Sequence, residues 1–234
     1  MKRSLKYWRI AGIIFCLVFI ASTVQADTIN VGNYISLQLQ NPAGANGGGE
    51  YIATVYTNSD KTGEIDSFVT FCIERDEYFS PGSVYKVADL STNVITGGMD
   101  DLDTTPPYPS LNYGTAYLYS QFRAGTLKTS TNQPYSTASH QSDLQLAIWK
   151  LEGEWTPALT GEALHWYNLA NSPSVHLNSY WGVRVINSLG WNSSTKQYDV
   201  YSQSWLTVPE PGSLALLGIA LTALALIQRK RKVS

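Results

Sequence analysis

Cysteine is nearly missing from this chain: Cys16 and Cys72 are the only two among 234 residues. That scarcity excludes a disulfide-stapled scaffold and leaves no Cys/His spacing for a structural zinc site. Histidine is scarce as well, with His140, His165 and His176, and none belongs to a Ser-His-Asp signature. There is no glycine-rich phosphate loop and no internal repeat. Asp100, Asp101 and Asp103 cluster in a proline-containing stretch, but no full calcium-loop pattern surrounds them, so they read as a solvated acidic loop. Glu152 and Glu154, close along the chain, likewise read as a solvated face. No turnover-enzyme signature, cofactor motif or metal motif stands out.

Basic residues are confined in a telling way. Lys2, Arg3, Lys6 and Arg9 precede an apolar run, which ends at Val24-Gln25-Ala26. A basic start, a short apolar run and a small-x-small site make a secretory signal peptide over 1–26, cut after Ala26. At the other end Leu214–Ile227 is almost wholly apolar and is followed by Arg229–Lys232, RKRK. Such a helix reaches only about 20–24 Å, short of a ~30 Å hydrocarbon core. Positive charge at both ends favours the cytoplasmic side, so the middle is exported. Residues 213–227 would hold the precursor in the inner membrane.

With both ends set aside the balance is acidic. Asp27 to Glu210 holds all 18 acids against eight bases, a net charge of −10. That argues against nucleic acid as a partner. About 180 residues are enough for one domain with its own core, here 27–207. Only Cys72 remains there, in an oxidising compartment. An unpaired thiol in that setting is a buried inert residue, an intermolecular disulfide, a lipidation site or a reactive group.

Alternation of apolar residues predicts strands over Asp27–Leu39, Tyr51–Tyr56, Ile65–Ile73, Val84–Leu90, Tyr180–Ile186 and Tyr198–Val208, with a turn around Gly190-Trp191-Asn192. Phe68, Thr70 and Cys72 fall on one face of the third strand, Phe71 and Ile73 on the other. Helices are expected over Leu111–Ala124, Ser139–Glu152 and Glu162–Ala170. In the second, Leu144, Ala147, Ile148 and Leu151 line one face, Ser139 or Ser142 caps the start and Gly153 stops it. The fold class is α+β: a β-sandwich or barrel with an inserted or packed block of about three helices.

Gln145 sits beside that apolar helix face, one turn before Trp149. A buried carboxamide costs a few kcal/mol unless partnered. FCIE around Cys72, followed 73 residues later by LQLAIW around Gln145, resembles the paired signature of the thioester domains of bacterial surface adhesins. The resemblance implies an internal thioester between the Cys72 sulfur and the Gln145 side-chain carbonyl carbon, shielded by Phe71, Ile148 and Trp149. It further implies covalent attachment to a nucleophile on a partner surface or matrix. The competing expectation is a non-covalent exopolysaccharide- or matrix-binding protein with a buried free Cys72, using its 15 tyrosines and seven tryptophans as stacking surfaces.

Pro209-Glu210-Pro211, the apolar run and the basic end, together 208–234, resemble the PEP-CTERM sorting signal. That resemblance implies processing by an exosortase-type enzyme and a destination at the cell surface or in the extracellular matrix of a Gram-negative bacterium. Pro209 and Pro211 fix φ and remove backbone donors, which keeps the segment extended.

Overall fold

The computed structural model describes residues 26–40, 48–77, 79–95, 108–173, 175 and 179–209. The signal-peptide run, the acidic loop Asp100–Asp103, Glu210, Pro211 and the apolar tail lie outside the described residues. Among the described residues no helix is long and apolar enough to cross a membrane.

Six strands form one antiparallel sheet: β1 (Tyr34–Leu39), β2 (Tyr51–Tyr56), β3 (Glu64–Thr70), β4 (Val84–Ser91), β5 (Arg184–Asn192) and β6 (Gln197–Thr207), in the order β3-β2-β1-β4-β5-β6. β2 and the first half of β4 alternate as half-buried strands must, whereas β1 and β5 carry runs of buried residues. Ile35 and Leu37 of β1, Tyr51, Ala53 and Val55 of β2, and Tyr85 and Val87 of β4 all point into one core. Among the described residues three helices lie between β4 and β5 in sequence: α1 (Tyr113–Arg123), α2 (Thr137–Glu152) and α3 (Gly161–Ala170). The α+β class therefore holds.

Of the two expected arrangements, sandwich or barrel, the described residues form one sheet whose ends meet, not two facing sheets. Beyond β3 the chain continues along β6: Leu206 N–H donates to Phe71 O at 3.3 Å and Ile73 N–H to Ser204 O at 3.2 Å, setting Cys72 opposite Trp205. Sheet twist accumulated over six strands brings the two edges round to each other, giving a barrel-like curl with a short seam. Alternation across the seam splits the core. Cys72 and Trp205 face the barrel interior, whereas Phe71, Ile73 and Leu206 face outward into a second core built with α1, α2 and α3.

Several boundaries move. The first strand starts at Tyr34, not Asp27. α2 starts two residues before Ser139, with Ser136 as N-cap and no side-chain capping bond, so neither Ser139 nor Ser142 caps it. Gly153 ends it as expected, at φ 88°, a left-handed conformation glycine adopts without strain. Gly190-Trp191-Asn192 is not a turn: it belongs to β5, and β6 pairs with it through Trp191↔Tyr198. The reversal lies at 193–196. Glu154 is buried, not solvated, and its carboxylate accepts the Arg75 N–H at 3.2 Å. Glu152, half-buried, accepts the Asn112 N–H at the start of α1.

Candidate functional site

The register of β2 and β3 explains where the site forms. Tyr51 pairs with Thr70, so continuing the ladder would set Gly49 against Cys72. That pairing is replaced by a side chain from α2. Gln145 inserts its carboxamide between the two backbones: its Oε1 accepts the Cys72 N–H at 3.2 Å and the Gly49 N–H at 3.3 Å. Its Nε2 donates to Cys72 O at 2.8 Å. The partners fix the amide orientation, because the reverse would put an NH₂ group against two N–H donors. Gln145 and Cys72, 73 positions apart, are thus joined in a two-point clasp, and Gln145 is fully buried. The clasp acts as a strand partner for one residue.

Cys72 is a free, buried thiol in the barrel interior. The Tyr51 hydroxyl hydrogen-bonds it. Burial pushes the thiol well above its ordinary range, the Glu74 charge adds to that, and the Cys72 N–H and Tyr51 oppose it. The sulfur is therefore a protonated thiol near neutral pH, and a reaction at it has to move that proton. Glu74 is itself buried and raised to about 7, with desolvation the main cause and the charge of Glu154 a smaller one. Its Oε2 accepts from Gln203 Nε2 and Ser204 N, both at 2.8 Å. The nearby cation is directed elsewhere: the Arg75 guanidinium pairs with Asp76 at 2.8 Å. His140 lies against the rings of Tyr135 and Trp166 in the helical layer rather than at the sulfur.

Of the three residues expected to shield the pair, Trp149 shares the barrel-interior core with Cys72. Phe71 and Ile148 sit in the helix-side core, on the other face of the seam. Of the residues around the pair, Glu74 stands beside the Cys72 motif in sequence, whereas nothing in the sequence singles out Tyr51, Gly48, Gly49 or Glu50. The run Gly47-Gly48-Gly49 carried the only local signal, and it reads equally well as an ordinary turn.

The segment leading to the chain's end is built into the fold. Val208 N–H donates to Asp27 Oδ2 at 2.9 Å, and Asp27 N–H to Val208 O at 2.7 Å. Pro209 forms a parallel bridge with Asp27. Residues 207–232 match the PEP-CTERM protein-sorting motif. The motif marks an exported protein that is a membrane-anchored precursor before exosortase processing. Its first residues, Thr207 at the end of β6 and Val208 just after it, are buried, so the PEP-CTERM stem starts inside the folded domain. No curated protein and no solved structure matches the chain.

Proposed function

We propose that the exported domain forms an internal thioester between Cys72 and Gln145 and uses it for covalent attachment to a nucleophile on a partner surface or polysaccharide matrix. The clasp between the Gln145 carboxamide and the Cys72 backbone is the observation that carries this reading. Contact of that kind replaces an improbable encounter between two groups far apart in sequence. In the forming step the Cys72 sulfur bonds to Cδ of Gln145 and the Cδ–Nε2 bond breaks. The thiol proton leaves with the nitrogen as ammonia, and no redox change occurs. A partner amine or hydroxyl then takes the acyl group and frees the thiol. The chemistry is single-use, so the protein is not a turnover enzyme. The test is alkylation of the native exported protein with and without a small amine. Thiol labelling that appears only after methylamine supports the reading, and prompt labelling on unfolding in the absence of amine removes it.

A second reading has its own support. Trp191 is 53% exposed and its ring meets Tyr198 edge-on at 5.3 Å, while Tyr198 meets Tyr34 at 5.4 Å. Such a row of rings suits reversible stacking on saccharides. Saturable binding of a neutral polysaccharide that Trp191→Ala abolishes, with no covalent adduct, would favour it.

A further inference from the structure

Residues 48–50 run along α2 past Gln145, and each of them makes a different contact on that helix or just before it. A Cβ placed on Gly48 would lie 2.6 Å from Gln145 Cγ and 2.9 Å from Trp149 Cζ2, so only glycine fits. Gly49 contributes the second N–H on Gln145 Oε1. Glu50 is buried and fastened: its Oε1 accepts the Tyr135 hydroxyl, its Oε2 the Thr137 hydroxyl at 3.0 Å, and its N–H reaches Gln141 Oε1 at 3.4 Å. All three of those partners lie on α2 or just before it, on the helix that carries Gln145.

We infer that Gly48-Gly49-Glu50 is a strap that completes an oxyanion hole over Gln145, with the Gly49 and Cys72 N–H groups as its two donors and Glu50 as the positioning residue that latches it. This rests on the thioester reading and names the machinery of that site. When sulfur adds to Cδ, negative charge develops on Oε1, which already stands between two backbone donors held in a dry site. Such donors stabilise the tetrahedral intermediate more than the starting amide. The same oxygen carries charge again when an amine attacks the thioester, so the strap serves both directions. It also walls off the carbonyl, since Gly48 lies against Gln145 and Trp149 with no space for a side chain.

Gly48→Ala displaces the strap without removing any reacting atom, and Tyr135→Phe loosens the latch without adding volume. The mature exported protein is opened with ammonium, freed of it, and followed by intact mass as the thioester re-forms. Wild type is expected to regain the ammonia deficit. Gly48→Ala and Tyr135→Phe should regain it at least about tenfold more slowly, because one donor is misplaced, with unchanged near-UV circular dichroism. If Gly48→Ala does not fold, Tyr135→Phe decides. Variant rates equal to wild type overturn the strap and leave the thioester standing. A wild-type protein that never shows the deficit overturns the thioester reading and the strap with it.

Discussion

Arg123 holds the carboxylate of Asp27 from two positions: its Nη2 stands 2.7 Å from Oδ1 and its Nη1 donates to Oδ2 at 2.9 Å. Both side chains are buried. The same Oδ2 accepts from the Thr207 hydroxyl and the Val208 N–H, so one carboxylate ties α1, the start of the described chain and the stem of the sorting motif together. Removing one member of such a pair leaves the other as a buried unpaired charge. Arg123→Met is therefore expected to lower unfolding free energy by about 3–5 kcal/mol in urea titrations. It should also make the chain near Val208-Pro209 sensitive to protease. A change under about 0.5 kcal/mol, the range of ordinary surface substitutions, would show that the pair does not hold the stem.

Glu74 and Glu152 give stability an unusual pH dependence. Both are raised from the ordinary 4.5 to about 7, chiefly by desolvation. In the folded state they keep protons that the unfolded chain releases across that window. Stability from these groups is therefore full below about pH 4.5 and is lost as pH rises through about 7. Urea midpoints should fall from pH 5 to pH 8. Glu74→Gln, which stays neutral, should flatten that slope; a midpoint that rises with pH in wild type contradicts the assignment.

Gln145 is expected to be hard to replace even apart from any chemistry. Gln145→Ala strips partners from the Cys72 and Gly49 N–H groups and from the Cys72 carbonyl, and leaves a cavity. The cost should be about 3–5 kcal/mol in chemical denaturation. Gln145→Glu keeps the two acceptor contacts but buries a charge and sets a carboxylate oxygen against the Cys72 carbonyl, so at neutral pH it should cost at least as much. A Gln145→Ala variant as stable as wild type would mean the clasp contributes nothing.

Much of this arrangement was legible beforehand, and the part that was not has a physical reason. Leu144, Ala147, Ile148 and Leu151 are buried along α2 as their spacing predicts, and Gly153 stops the helix where expected. The unusual Gln145 within that apolar setting was visible because a buried amide demands partners. The seam between Phe71–Ile73 and Ser204–Leu206 was not, since pairing of segments some 130 residues apart leaves no local pattern. Gly48 and Gly49 looked like turn residues because φ tolerance and close approach to a side chain use the same residue type. Glu154 reads as solvated because neighbouring acids usually are; in the fold it is buried and its carboxylate is partnered by the Arg75 N–H.

Charge should bias which nucleophile reacts. The exported part carries −10 between Asp27 and Glu210. At low ionic strength a diamine should consume the proposed thioester roughly tenfold faster than an amine of net negative charge, with the difference fading in salt. Adduct formation followed by mass spectrometry checks this, and equal rates in low salt would exclude electrostatic selection of the partner.

The central claim is met most directly by the intact mass of the freshly purified exported protein beside its Cys72→Ala variant. The account predicts a wild-type mass short by one ammonia and restored by methylamine addition, with Cys72→Ala at full mass. Full mass in wild type, or the same deficit in Cys72→Ala, contradicts it.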